Sequence, residues 1–187
     1  MASNIHFKQV DSSAHIDQIL ALQALNHSSV LAADLASQQG FLTVRHDPAL
    51  LSRMNAAYPS VIAQCGDELA GYCLVMPPSF AVDIPVLAPM FALLETLSWQ
   101  EEPLSSLRWF VMGQVCVAEA YRGQGVFDGM YAQLRAVCRA DFDLVVTEIA
   151  LRNTRSLRAH ERVGFQTMHR YFDPLNGEDW AVVGMAL

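Results

Sequence analysis

Lysine is almost absent from this 187-residue chain, which has Lys8 and no other, and acidic residues outnumber basic ones to give a net charge of −7. The lack of lysine excludes a P-loop, because that phosphate-binding motif ends in Gly-Lys followed by Ser or Thr. The acidic balance argues against non-specific binding of nucleic acid, which needs an excess of positive surface charge. The sequence therefore predicts neither a P-loop nucleotide site nor a nucleic-acid partner.

Long apolar runs and paired cysteines are missing as well. No apolar stretch reaches the roughly 18 residues that span a bilayer, and the first ten residues are polar and mixed, unlike a secretory signal. The four cysteines, Cys65, Cys73, Cys116 and Cys138, form no C-x-x-C pair and have no metal-ligand spacing with histidine. With 52% hydrophobic residues, the chain is predicted to form one domain over residues 1–187, with buried free thiols, no metal, no membrane segment and a cytoplasmic location.

The most informative stretch is a short turn with two glycines. It follows an apolar, strand-like run, Trp109–Val117, and precedes a helical pattern. Gly123 and Gly125 let the backbone approach a ligand with no Cβ in the way, and the N–H groups that open a helix favour negative charge. Arg122 adds a cation beside them. The arrangement indicates a site for a phosphate or pyrophosphate group.

The dinucleotide fingerprint, G-x-G-x-x-G, does not fit this turn. The third glycine, Gly129, comes one residue late. Asp128 stands where the helix would meet a pyrophosphate. A dinucleotide oxidoreductase is therefore a distant alternative.

The turn instead resembles the acyl-CoA-binding motif of the GNAT superfamily of N-acetyltransferases. The matching residues are Val115, Val117, Tyr121, Arg122, Gly123, Gly125 and Val126. Phe127 departs from the pattern, since the family usually has Gly or Ala there, and its ring either narrows the pyrophosphate cradle or turns into the core. A second stretch, from Asn153 to Phe165, resembles the later family motif, with Asn153 as a helix N-cap and Gly164 as a helix stop.

The resemblance implies the GNAT fold, an α/β (mixed α+β) architecture with a twisted mixed sheet of six or seven strands and helices on both faces. In that fold two central parallel strands splay apart and hold acyl-CoA in the opening. Here these strands would be Trp109–Val117 and Asp143–Ile149. Local patterns add a strand at Ile5–Val10, helices capped by Ser12 or Ser13 and by Asp47, a short helix ending at Gly40, a hairpin turn at Gly66-Asp67 and a last hairpin joined by residues 174–177.

Acetyl-CoA is the cosubstrate that the resemblance implies, and the family pattern assigns residues to each part of it. These are backbone groups of Val115, Cys116 and Val117 for the pantetheine, Arg122, Gly123, Gln124, Gly125, Val126 and Phe127 for the pyrophosphate, and Asn153 and Ser156 for the pantetheine arm. The alternative for Asn153 is a cap alone. Residues 108–170 hold nine arginines and six acids, which suits a polyanionic ligand, whereas the acidic remainder suits a cationic amine.

Transfer of an acyl group from a thioester to an amine needs a base for the amine and an acid for the departing thiolate. His160 takes the position where many family members carry a tyrosine acid, and histidine titrates near neutrality. The alternative is a helix histidine packed against the sheet. Glu148, at the C-terminal end of its strand, is the candidate base, with a solvated strand-end acid as the alternative.

Two functions from different classes stay open at this point. The first is an N-acetyltransferase that acts on a primary amine of a small molecule or of a protein. The second is a non-catalytic acyl-CoA-binding sensor on the same fold. A polar acceptor pocket with a usable base beside the thioester would distinguish them. The partners implied are acyl-CoA and an amine acceptor, and a homodimer through the last strands is common in the family.

Overall fold

The computed structural model describes residues 4–27, 42, 45–174 and 177–187. The helices of these residues are α1 Ser13–Asn26, α2 Pro48–Ala57, α3 Ala88–Leu94, α4 Val126–Cys138 and α5 Thr154–Val163. Their strands are β1 Ile5–Gln9, β2 Val61–Cys65, β3 Glu68–Met76, β4 Ser98–Trp99, β5 Glu102–Pro103, β6 Trp109–Val117, β7 Leu144–Ala150, β8 Gln166–Asp173 and β9 Glu178–Ala186. The short helix expected to end at Gly40 and the centre of the last hairpin turn lie outside the described residues. None of the helices within the described ranges combines the length and apolar character that crossing a membrane requires.

Side-chain caps set where the helices begin, as the sequence predicts. The Ser12 hydroxyl accepts a hydrogen bond from the backbone N–H of His15, and Asp47 accepts bonds from two N–H groups at the start of α2. Asn153 caps α5 in the same way, through the N–H of Ser156. Gly164 ends α5 at a positive φ of 111°, a conformation that favours glycine.

Seven strands form one mixed sheet in the order β1-β2-β3-β6-β7-β9-β8. Every neighbouring pair is antiparallel except β6 and β7, which run parallel at the centre. A crossover through α4 joins this parallel pair, as such a connection requires. The mixed sheet expected from the sequence is therefore confirmed.

The two central strands pair only along their first halves. Trp109–Val111 faces Leu144–Val146, and beyond these residues β6 pairs with β3 alone while β7 pairs with β9. The register between β3 and β6 shifts at the same level and leaves Gly113 without an opposite residue, which is the pattern of a β-bulge. At the parting, the Thr147 hydroxyl donates a hydrogen bond to the carbonyl of Met112 over 3.1 Å.

Helices cover both faces of the sheet because successive strand residues point to opposite sides. On one face, Ile62 and Leu74 pack with Ile19 of α1. On the other, Val61 and Val75 pack with the α4 side chains Met130 and Leu134, among others. The central strands are thus buried on both sides, and the polar side chains Gln114 and Thr147, where β6 and β7 separate, are buried as well.

The segment between β3 and β6 contains a small hairpin that the sequence did not reveal. Strands β4 and β5 are joined by Gln100 and Glu101, which both have positive φ, 48° and 74°. Two successive residues of this kind make the tight turn that suits the twist of a hairpin. The Trp99 ring packs against Gly184 of β9, where an added Cβ would lie 3.1 Å from the ring. The segment therefore covers the sheet close to β9.

The hydrogen bond at the parting of the strands gives a test of the fold. We expect Thr147→Val to lower the free energy of unfolding by about 1–2 kcal/mol, because the near-isosteric change removes a buried donor to the Met112 carbonyl. Chemical denaturation followed by circular dichroism measures this. Thr167→Val on the exposed part of edge strand β8 is the matched control, expected to stay within about 0.5 kcal/mol of wild type. Equal effects of the two changes would contradict a special role for Thr147.

Candidate active site

A groove of about 820 Å³ opens between the first turn of α4 and the side of α5. We call it the α4–α5 groove. Its walls are the end of β6, the loop before α4 and the exposed face of α5. The two sequence motifs, which lie about 30 residues apart, therefore meet across one cavity. The predicted binding residues that line it are Val115, Cys116, Val117, Arg122, Gly123, Gly125, Val126, Phe127, Asn153 and Ser156.

Gln124 is the predicted binding residue that does not line the groove. Its side-chain amide donates a hydrogen bond to the carbonyl of Ala120 over 2.8 Å, which closes the loop on itself. Its side chain thus shapes the turn from the outside.

The loop before α4 has the local geometry of an anion site. Gly123 and Gly125 have φ near 75°, and apart from the adjacent residues no atom lies within 4 Å of the position that a Cβ would occupy at either glycine. Gly125 is the N-cap and offers no side-chain hydrogen bond, so the first N–H groups of α4 have no side-chain cap. The Arg122 guanidinium is held at the base of the loop by the Val117 carbonyl and the Asn26 side chain. These features fit a phosphate group.

Phe127, the departure from the family pattern, packs between helices. Its ring centroid lies 4.9 Å from that of Tyr131 and 5.1 Å from that of His160. Of the two interpretations of this residue, packing towards the core is the one that these contacts support. The ring joins the first turn of α4 to α5.

Gly129, the glycine that comes one residue too late for the dinucleotide fingerprint, lies where α4 crosses β1. A Cβ added there would overlap the tip of the Phe7 ring. The residue thus serves close packing of helix on sheet. Its spacing from Gly125 follows from the position of Phe7 and carries no information about a ligand.

Asn153 and Ser156 stand where the groove meets a smaller pocket of about 110 Å³ between the parted strands. We call this second cavity the strand pocket. Asn153 is buried, and its side-chain oxygen accepts the Ser156 N–H over 3.2 Å, so the capping role is present. Both residues line both cavities. The two spaces are therefore neighbours with a shared wall.

His160 is a buried, neutral side chain. It is 2% exposed, and burial lowers its pKa to about 4. Its Nδ1 lies 2.8 Å from the Ser156 carbonyl, which can only accept, so Nδ1 carries the hydrogen. Nε2 then accepts a hydrogen bond from the Tyr131 hydroxyl over 2.9 Å. These bonds favour a role in positioning Ser156 over the proton-donor role that the resemblance implies.

Glu148 faces the strand pocket from β7. Burial raises the pKa of its carboxyl group to about 7, although a hydrogen bond from the Tyr171 hydroxyl, 2.8 Å long, favours the ionised form. A carboxylate with this pKa can take up a proton near neutrality. The alternative interpretation from the sequence, a solvated strand-end acid, does not fit its burial.

Four aromatic side chains, those of Tyr171, Trp180, Trp99 and Trp109, divide into two groups by their surroundings. Trp180 lines the strand pocket, and Tyr171 sits opposite Trp180 in the β8–β9 register while it binds Glu148. Trp99 and Trp109 pack instead within the apolar cluster under α3. Only strand pairing brings Tyr171 to Glu148, 23 residues away, so no local sequence signal could have identified it.

A buried polar network fixes β6 just beyond its bulge. The Gln114 side-chain oxygen accepts hydrogen bonds from the Tyr72 hydroxyl and from the Gln23 amide, each 2.6 Å long. Gln23 also binds His46, through the side chain and the backbone. Gln114 lines the strand pocket as well, so α1 and β3 hold this wall of the pocket in place.

Cys116 lies in the groove wall but is not poised as a nucleophile. It is buried, and burial raises the pKa of its thiol to about 12. A thiolate is therefore scarce near neutrality. Cys73 and Cys138 are also buried free thiols, whereas Cys65 is partly exposed. The described residues contain no cluster of three or more side chains suited to a metal.

Comparison with known proteins agrees with this geometry. The model of the Acetyltransferase (GNAT) family matches residues 30–165, well over half of the chain. The chain belongs to the GNAT acetyltransferase family. The family resemblance read from the turn and from the Asn153 motif is thus confirmed. None of the curated protein sequences matches this chain closely enough to count as a relative.

Solved GNAT structures share the fold over nearly the whole chain. The ribosomal-protein-S18-alanine N-acetyltransferase from Escherichia coli aligns with a TM-score of 0.62 at 10% identity, over 97% of this chain and 93% of that one. The NatC complex bound to Gag peptide and CoA aligns with a TM-score of 0.63 at 17% sequence identity, over 98% of each chain. The structure of yncA from Salmonella typhimurium with its cofactor acetyl-CoA aligns with a TM-score of 0.60 at 15% sequence identity, over 98% of this chain and 94% of that one. The expected fold is confirmed.

The protonation state of His160 can be tested directly. We expect the ring to stay in the neutral Nδ1–H form from pH 8 down to about pH 5, because burial lowers its pKa to about 4. Long-range ¹H–¹⁵N spectra recorded across this range report the tautomer, with His160→Gln used to assign the signals. A ring that gains a proton between pH 7 and pH 6 would contradict this expectation and favour the general-acid role.

Proposed function

We propose that the protein is an acetyl-CoA-dependent N-acetyltransferase that transfers the acetyl group directly to a primary amine. The observation that carries this proposal is the position of Glu148. A carboxyl group with its pKa raised to about 7 faces a pocket that shares Asn153 and Ser156 with the α4–α5 groove. A non-catalytic acyl-CoA sensor would need the groove but no such base beside it.

The groove residues fit the parts of acetyl-CoA. Beyond Val111, β6 has no partner on the β7 side among the described residues, so backbone groups of Val115–Val117 can bind the pantetheine amides as an added strand would. The loop from Arg122 to Phe127 receives the pyrophosphate through backbone N–H groups and the Arg122 cation. Asn153 and Ser156 hold the end of the pantetheine arm where the two cavities meet.

The chemical roles follow from the same geometry. Glu148 accepts a proton from the amine, directly or through a water molecule, while the amine nitrogen bonds to the acetyl carbon. A backbone N–H near Val117 stabilises the negative charge that develops on the carbonyl oxygen. The carbon–sulfur bond then breaks, and the Ser156 hydroxyl, whose oxygen lies 3.3 Å from Nδ1 of His160, donates a hydrogen bond to the departing thiolate before solvent protonates it. His160 is a positioning residue in this scheme.

The proposal also covers the acceptor, the cellular location and the oligomeric state of the protein. The acceptor is an amine, and the acidic charge of the chain outside residues 108–170 favours a cationic one. Buried free thiols at Cys73, Cys116 and Cys138 fit a reducing cytoplasm. The outer edge of β8 is the end of the sheet, and pairing of two such edges is the homodimer that the proposal includes.

Removal of the proposed base is the main test. We expect Glu148→Gln to lower kcat by about a hundredfold or more while the KM for acetyl-CoA changes little, since the change keeps the side-chain shape and removes the proton acceptor. A thiol reagent follows CoA release with panels of small amines, lysine peptides and peptides with free N-termini. Glu161→Gln on the exposed face of α5 is the matched control and should be fully active. Absence of turnover with every amine, or full activity of Glu148→Gln, would defeat the proposal.

The Tyr171 hydrogen bond gives a prediction about pH. Activity should rise with pH as Glu148 ionises, with a midpoint near its pKa of about 7. Tyr171→Phe removes a hydrogen bond that favours the carboxylate, so the pKa should rise and the midpoint should move to higher pH by about one unit. Profiles of kcat/KM for one amine, measured on both proteins, isolate the shift because the ionisation of the amine is common to both. A midpoint that stays in place would assign the pH dependence to another group.

A further inference from the structure

One ion pair joins the two helices that line the α4–α5 groove. Asp128, in the first turn of α4, accepts hydrogen bonds from Nε of Arg162 at 3.1 and 3.2 Å and from a terminal guanidinium nitrogen at 2.7 Å. Arg162 lies in the last turn of α5, and both residues line the groove. Among the described residues of its wall, Asp128 is the single carboxylate, against the arginines Arg122, Arg155, Arg158 and Arg162.

Folding stability does not account for this pair. The side chains are 47% and 57% exposed, and exposed ion pairs add little to the free energy of unfolding. The helix dipole favours an acid in the first turn of α4, but the same N–H groups are those proposed to receive pyrophosphate. Asp128 therefore places a negative charge beside the proposed position of the pyrophosphate. It also forms an ion pair with Arg162, a cation that is suited to bind that pyrophosphate.

We propose that Asp128 limits the affinity of the groove for CoA by holding Arg162 in a bidentate ion pair that competes with a phosphate group of the ligand. The inference rests on the proposed function. With Asp128 present, Arg162 must give up its hydrogen bonds to that carboxylate before it can contact phosphate. An enzyme that releases CoA after every turnover gains from such a restraint, because product release often limits kcat.

The affinity of four proteins for CoA tests this inference. We expect Asp128→Asn to bind CoA about three- to tenfold more tightly than wild type, since Arg162 becomes available to phosphate and one repulsive charge is gone. Arg162→Gln should bind about tenfold more weakly, because Asp128 then stands unneutralised. The double variant should return close to wild type, since it removes both charges. Isothermal titration calorimetry at one fixed salt concentration measures all four constants.

A matched control exists elsewhere on the molecule. Arg108 and Asp143 form a similar bidentate pair, with side chains 56% and 41% exposed, and neither lines the groove. Asp143→Asn therefore makes the same change in net charge and breaks a comparable pair. Its affinity for CoA should equal that of wild type. A gain as large as that of Asp128→Asn would reduce the effect to overall charge and overturn the inference.

Further outcomes separate this inference from the function itself. Unchanged or weaker binding by Asp128→Asn would overturn it, since Asp128 would then serve to hold Arg162 ready for phosphate. A double variant as tight as Asp128→Asn would also overturn it, because Arg162 would have no part in the gain. Titration with dephospho-CoA, which lacks the 3′-phosphate, shows which phosphate Arg162 contacts. If Asp128→Asn still binds this ligand more tightly than wild type does, the contact is with the pyrophosphate. If the difference disappears, the contact is with the 3′-phosphate. A wild-type protein that binds no CoA would defeat the proposed function instead.

Discussion

The parting of β6 from β7 is the constraint on which the rest of the site depends. The two strands share three residue pairs, and beyond these each keeps only the partner on its other side, β3 for β6 and β9 for β7. The bulge at Gly113 absorbs the change in register, and the Thr147–Met112 hydrogen bond closes the last point of contact. Without this separation, β6 would have no open backbone edge and Glu148 would have no cavity to face.

The sequence was informative where local chemistry decides structure. The caps at Ser12, Asp47 and Asn153 and the two glycines before α4 act on their own neighbours, so composition and spacing were enough to place them. The strand Trp109–Val117 was predicted with the bounds that the structure gives it, because it is long, apolar and ends at a recognisable turn.

Other features of the structure had no signal in the sequence. The β4–β5 hairpin turns on Gln100 and Glu101, which are not residues typical of positive φ, so no turn signal was present. The pKa of Glu148 depends on its burial and on Tyr171, which only the β7–β9–β8 pairing brings near. The neutral state of His160 likewise depends on its burial, and its Nε2 accepts a hydrogen bond from Tyr131, 29 residues away on α4. Proton positions in a site are set by tertiary contacts, and a motif does not encode them.

The contact between Gly129 and Phe7 has a mechanical consequence for the whole groove. Because the ring leaves no room for even a methyl group at position 129, α4 sits as low on the sheet as its backbone allows. The N–H groups at the start of this helix lie one turn before Gly129, in the same helix, so their position follows from that contact. The height of the loop before α4 above β6 is thus set by an apolar residue at the edge of the sheet, in β1.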